Sequence, residues 1–280
     1  MRMHKLIFSA VASILIAAII IPASTYAAKN SSSTVSNSLL GNDISYPQCN
    51  KSVPNNQAFG IVGVNGGLAT NTNPCLKDQL AWANRSSGIT SQAKIQLYVN
   101  TANPGGLDTP SWPSWGNSDN PYGNCDGSDS LACAWQYGWN RANETVNIRF
   151  IPAADQAKIN FDPSKYTWWL DVETLNTWKP ANNDFNSKSN TAVLEGMTTY
   201  LKSINANVGL YSTAYQWNKI VGNGVGSNSN LNGLINWRPG GANLSTAKQA
   251  CTSSPLTSGG KVVLTQYIYN KLDYDYSCTS

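Results

Sequence analysis

Short apolar runs, each trailed by polar or glycine-rich residues, recur along the chain: Asp43–Tyr46, Phe59–Asn65, Lys94–Asn100, Thr167–Thr174, Asn207–Ser212, Leu234–Trp237 and Lys261–Tyr267. Runs of this kind are typical of strands buried on both faces. Between several of them the period lengthens. Leu76–Asn84, Leu131–Asn143 and Thr191–Ile204 read as helices, the last with Val193, Met197, Leu201 and Ile204 spaced by three and four. Strands alternating with helices predict parallel strands joined by crossovers. Seven or eight of them, with no G-x-G-x-x-G after an early strand, favour an α/β fold closed into a single, partly irregular TIM-type β/α barrel.

Two segments interrupt the alternation as long loops, Thr101–Asp129 and Val221–Asn232, and loops of this length predict walls or lids of a functional site. The first follows a strand, which places it at the barrel's C-terminal face, where active sites of such barrels lie. Upstream, Arg2 and Lys5 precede a charge-free, largely apolar stretch from Leu6 to Ile21, closing on Ser24-Thr25-Tyr26-Ala27-Ala28. That pattern predicts a secretory signal over 1–28, a Ser/Asn-rich leader over 29–40 and the barrel over 41–280. The expected product is secreted or cell-wall associated, monomeric, and free of the membrane once cleaved.

Removing the signal leaves 17 basic against 15 acidic residues, a net charge of +2, and takes away His4, the only histidine. Histidine-based catalysis and imidazole metal sites are thereby excluded, so carboxylates must carry any acid–base chemistry. A charge of +2 gives no reason to expect nucleic acid as a partner. Charged residues make up 12% of the chain, against roughly 25% in ordinary soluble domains, while Trp numbers 10 and Tyr 13. This composition suits a neutral polyhydroxylated ligand stacked on rings and bonded by amides. Trp112 and Trp115 are candidate platforms, or else cover an apolar neighbour. Six cysteines behind a signal predict three disulfides among Cys49, Cys75, Cys125, Cys133, Cys251 and Cys278. Of the 15 connectivities, proximity favours Cys125 with Cys133, Cys49 with Cys75 and Cys251 with Cys278.

The segment richest in chemistry is Tyr166-Thr167-Trp168-Trp169-Leu170-Asp171-Val172-Glu173-Thr174. Strand alternation puts Trp168, Leu170 and Val172 on one apolar face, and Trp169, Asp171 and Glu173 on the face pointing into a barrel. Carboxylates at i and i+2 have Cα atoms roughly 6.6 Å apart. Confining both predicts one raised and one low pKa, the asymmetry that glycoside hydrolysis uses. Asp43 near the end of the first strand offers a third acid, and Asp273-Tyr274-Asp275 repeats the i, i+2 spacing near the last. A closed barrel makes those strands neighbours, with either Asp273 or Asp275 inward.

The ordered set of Asp43, Ser45 and Gln48, then Leu170-Asp171-Val172-Glu173, then Gly209-Leu210-Tyr211-Ser212, then Gln266-Tyr267 with Asp273 and Asp275, resembles glycoside hydrolase family 25, the Chalaropsis-type lysozymes. The resemblance runs from about Gly41 to Tyr276. It implies a barrel that cleaves the β-1,4 bond between N-acetylmuramic acid and N-acetylglucosamine in peptidoglycan, without a cofactor or metal. Carried over, Glu173 is the general acid and Asp171 stabilises the transition state or orients the substrate acetamido group, with Asp43 and Asp273 or Asp275 lining the site. Trp169, Tyr211, Trp237, Gln266 and Tyr267 are expected to touch substrate. One departure stands out: many members carry an acid after the second strand, where this chain has Asn65-Gly66-Gly67, and Asn65 would bond a sugar hydroxyl or water instead. Two alternatives follow. One is a glycan-binding barrel that has lost turnover. The other is a chitinase-like hydrolase, whose strand normally carries a further Asp where Trp169 stands.

Overall fold

The computed structural model describes residues 39–106 and 110–279. The signal and nearly all of the leader lie outside them. Eight strands close into a barrel in chain order: β1 (Leu40–Ile44), β2 (Gly60–Gly63), β3 (Ile95–Asn100), β4 (Thr167–Asp171), β5 (Asn207–Tyr211), β6 (Ile235–Gly241), β7 (Lys261–Tyr269) and β8 (Leu272–Ser277). The helices are α1 (Leu76–Asn84), α2 (Leu131–Glu144), α3 (Ile151–Gln156), α4 (Asp184–Ser203), α5 (Ala214–Ile220) and α6 (Leu244–Ala250). Among the described residues, no helix is long and apolar enough to cross a membrane.

The first seven strands run parallel, as the alternation predicts, but β8 is antiparallel to both β7 and β1. The cause is the connection. β7 and β8 are joined by Asn270 and Lys271 alone, both at positive φ (50° and 63°), a two-residue reversal too short for a crossover helix. The seam puts Asp43 opposite Asp273 and Gly41 opposite Asp275, so both acids of the final pair face inward.

Two apolar layers flank the strands. Outward-facing Trp168, Leu170 and Val172 pack with Leu97, Val99, Phe150, Val193 and Met197 beneath the helices. Inside the barrel, Phe59, Ile61, Trp169, Tyr211, Trp237 and Leu264 form a plug. Gly209 makes room for it, because a Cβ there would lie 2.2 Å from the Trp169 ring. α4 begins seven residues before the predicted helix, capped by Asn183, whose side chain accepts from Asn186 N–H (2.8 Å). Its first turns bury Ser187, Ser189 and Asn190, polar residues that hide the apolar period.

The loop Val221–Asn232 walls a cavity beside α4 and not the one at the C-terminal ends of the strands. It connects α5 to β6 and runs along α4, where Ser229 Oγ donates to Glu195 and Lys202 Nζ donates to the Asn230 carbonyl. Disulfides join Cys49 to Cys75, Cys125 to Cys133 and Cys251 to Cys278, the pairs nearest in sequence. The last ties the end of α6 to the end of β8. Closing loops of 26 and 27 residues is worth about 3–4 kcal/mol each on a chain-entropy account.

Candidate active site

At the C-terminal ends of the strands a cavity of about 300 Å³ opens inside the barrel. Its walls include Asp43 and Ser45 from the end of β1, Tyr98 from β3, Asp171 and Glu173 from the end of β4, and Asp273 from β8. Among the described residues, four carboxyl groups line this cavity, and no lysine or arginine does.

Each carboxyl is held by local structure. Asp171 ends β4, and its carbonyl accepts from Thr101 Oγ1 at 2.6 Å. One and two residues on, Ser212 Oγ donates to the Val172 carbonyl at 2.7 Å and Trp178 Nε1 to the Glu173 carbonyl at 3.0 Å. The backbone carrying both acids is thus clamped from the strands on either side and from the following loop. Glu173 is half-buried and receives a long bond, 3.5 Å, from Gln216 Nε2. Gln216 is placed by the Thr213–Gln216 capping box that opens α5. On the other wall, Tyr211 Oη donates to Gln266 Oε1 (2.8 Å) and Gln266 Nε2 donates to Asp43 Oδ2 (2.9 Å). The relay fixes Asp43 from β5 through β7.

Burial without a cation sets the electrostatics. Asp171 and Asp43 are pushed well above the usual carboxylate range, chiefly by burial, then by Glu173 and by Asp273 respectively. Burial also raises Glu173, opposed by the Gln216 bond, and raises Asp273, with the Glu173 charge adding to it. Beneath them Asp275, fully buried, is raised by the same burial and by Asp43. The expected split of one raised and one low carboxyl is therefore not what the fold makes. All five move upward together, and because they act on one another the titration belongs to the cluster.

Several expected contacts fall elsewhere. Trp169 does point inward, but one layer too deep. It is wholly buried in the plug, its Nε1 donating to Gln96 Oε1 at 2.8 Å. Asn65 is also buried and committed, its Oδ1 accepting from Asn100 N–H and its Nδ2 donating to the Ala69 carbonyl, and it does not line the cavity. Tyr267 faces outward, with Leu40, Ala247 and Tyr274 around it, because its neighbour Gln266 takes the inward position. Asp275 faces inward, below the cavity walls. Trp112 stacks on Tyr137 (centroids 5.6 Å apart) and Trp115 is 73% exposed, and neither lines the cavity. Tyr211, Trp237, Gln266 and Asp273 do line it. Tyr98, Gln216 and Ile268 join the site without having been singled out. Alternation along β3 from Asn100 signals Tyr98, and the Thr-x-x-Gln pattern after β5 signals Gln216.

Residues 149–239 match the family described as Lysozyme-like protein 1. The matched stretch holds Asp171, Glu173, Tyr211 and Trp237, and stops short of Asp43 and the acids of β8. Lysozyme-like protein 5 of Caenorhabditis elegans is 41% identical over 76 residues, 25% of this chain and 33% of that protein. The chain thus spans about a third of the length of this curated relative. Two crystal structures of the modular Cpl-1 endolysin complexed with a peptidoglycan analogue align over 88% of this chain and 56% of theirs, at 15% identity. Their TM-scores are 0.48 for the wild-type endolysin and 0.46 for a mutant in complex with a tetrasaccharide-pentapeptide.

Proposed function

We propose that this chain is a secreted lysozyme-like glycosidase that cleaves the β-1,4 bonds of peptidoglycan strands, a muramidase of the family 25 kind. The observation that carries the reading is the cavity itself: four carboxyls at the C-terminal mouth of a barrel, with Glu173 the least buried of the Asp171–Glu173 pair. The match of residues 149–239 to a lysozyme-like family supports it.

In this reading Glu173, whose pKa burial raises, gives its proton to the glycosidic oxygen as the bond breaks. Asp171 stabilises the positive charge that develops at the anomeric carbon, or holds the acetamido group that attacks it. Asp43, fixed by Gln266, and Asp273 line the subsite, with Trp237 and Tyr211 beneath the sugar. An acid missing at Asn65 does not weaken this assignment, because in this fold Asn65 lies outside the cavity wall.

The test is incubation of the chain from Lys29 onward with purified peptidoglycan, beside Glu173→Gln, with mass spectrometry of the soluble fragments. The expected result is muramic acid reducing ends from the wild type and a rate lower by about 10²–10⁴-fold in the variant. Equal release by both would remove Glu173 from the mechanism. Sedimentation of both with the wall and no fragments from either would replace the hydrolase with a glycan-binding barrel.

A further inference from the structure

Asp275 is the one acid of the cluster that the proposed chemistry leaves unused. It is fully buried, and neither carboxyl oxygen has a hydrogen-bond partner. Two titratable groups face it, Asp43 on β1 and Asp273 on its own strand, while β6 and β7 present Trp237 and Gln266. Trp237 is near enough to favour the anion, but its Nε1 also stands outside bonding geometry and is itself unpartnered. Farther out, Glu173, Asp171, Tyr98 and Tyr211 complete the titratable set around Asp43, and none is basic.

A buried carboxyl with no cation beside it and no hydrogen bond made to either oxygen is best accommodated as the neutral acid, which turns it from an acceptor into a donor. Asp43 is the acceptor in front of it. Asp43 Oδ2 already takes the Gln266 amide, which leaves its remaining lone pairs for a second donor. From this arrangement we propose that Asp275 is a positioning residue: its carboxylic O–H donates to the Asp43 carboxylate, which is then held between Asp275 below and Gln266 beside it. The O–H bond stays intact, so no proton is transferred. Asp43 is kept as an oriented anion at the cavity wall, and the cluster carries one charge fewer than its five carboxyls would give. The kinetic consequence rests on the glycosidase reading above, whereas the protonation and the bond do not.

Infrared difference spectroscopy of the whole protein at neutral pH, wild type against Asp275→Asn, tests the proton directly. The expected result is the loss of one protonated-carboxyl absorption, with the unfolding free energy of the variant less dependent on pH by up to one proton. In peptidoglycan hydrolysis, Asp275→Asn supplies an amide donor to Asp43 and should keep kcat within about threefold, whereas Asp275→Leu supplies none and should lose about tenfold or more. Unchanged infrared absorption and an unchanged pH slope in Asp275→Asn would overturn the proposal. So would a kcat loss in Asp275→Asn as large as in Asp275→Leu, since that would mean a negative charge, not a donor, is what the site needs. If the wild type proves inactive on peptidoglycan, the glycosidase reading falls and the infrared and stability arms still decide the role of Asp275.

Discussion

Two buried acids of this molecule, Asp43 in the barrel mouth and Glu195 on α4, are equally enclosed at 8% exposure and live in opposite surroundings. Glu195 receives Tyr122 Oη on one oxygen and Ser229 Oγ on the other, both at 2.5 Å, and so pins two long loops to the helix. On the segment after α2, Arg149 Nη2 is paired with Glu144 and donates to the Thr70 carbonyl, while its Nε and Nη1 are left without partners. In the mouth, by contrast, five carboxyls crowd together with one amide donor apiece for Asp43 and Glu173, and Asp171 Oδ1 has no partner at all. The α2–α4 side gives its buried carboxylate a donor on each oxygen, although Arg141 Nε and Thr198 Oγ1 go without partners, whereas in the mouth Asp171 Oδ1 and both Asp275 oxygens have none. That difference marks the mouth as the place where buried carboxyls crowd without donors, the condition on which the proposed acid chemistry rests.

The strongest way to break the comparison acts on the α2–α4 side. α2 and α4 pack so closely that a Cβ on Gly138 would lie 1.9 Å from the Val193 carbonyl oxygen, and one on Gly196 would lie 2.0 Å from that of Trp135. Backbone cannot yield as a flexible side chain does. Gly138→Ala should therefore destabilise by about 3 kcal/mol or more, lowering Tm by roughly 6–12 °C. The mouth is untouched, so hydrolysis measured well below the new Tm should stay near the wild-type rate. Thermal unfolding by circular dichroism, with the assay run cold, checks both halves.

Next in size is a pair of substitutions read side by side. Glu195→Ala strands two hydroxyls and unties two loops, and should destabilise by about 1–3 kcal/mol. Asp171→Asn removes a buried charge from a repelling cluster and should stabilise at neutral pH by on the order of 1 kcal/mol while hydrolysis collapses. Denaturant titration at one pH compares them. Loss of stability in both would show that the mouth is as well satisfied as the α2–α4 side.

How much of this contrast could be read from the chain depends on the periodicity of each region. The parallel strands were legible because strands buried on both faces appear as unbroken apolar runs. β8 was not, because Leu272-Asp273-Tyr274-Asp275-Tyr276 alternates acids with rings, and its turn uses Asn270-Lys271 where a glycine would have announced a hairpin. At the site, alternation placed Asp171 inward and was right about direction, but it carries no information on depth. Trp169, on the same face one layer down, therefore became plug rather than platform. Adjacent residues cannot share a face, which is why Gln266 and Tyr267 had to part. The donors to Glu195 lie 73 residues before it and 34 after it, a separation that no local pattern reveals.

The smallest effect is a slope, and its sign separates the regions most cleanly. Each acid of the mouth has a folded pKa above its unfolded value. Between those two values the folded state binds more protons than the unfolded one, so the stability these groups contribute is fully present below the unfolded pKa, near 4, and is lost as pH rises through the folded values. Exposed Asp126 and Asp162 work the other way, their pKas lowered by hydrogen bonds from Ser128 and Ser164, and they act only as pH falls below about 4. The unfolding free energy should therefore be greatest on the acid side and decline toward pH 8. Removing one mouth carboxyl, as in Asp171→Asn, should flatten that decline by up to one proton. Glu195→Ala should lower the whole curve. A slope unchanged in Asp171→Asn would place the strained charge outside the mouth and undo the reading of that cavity as a catalytic one.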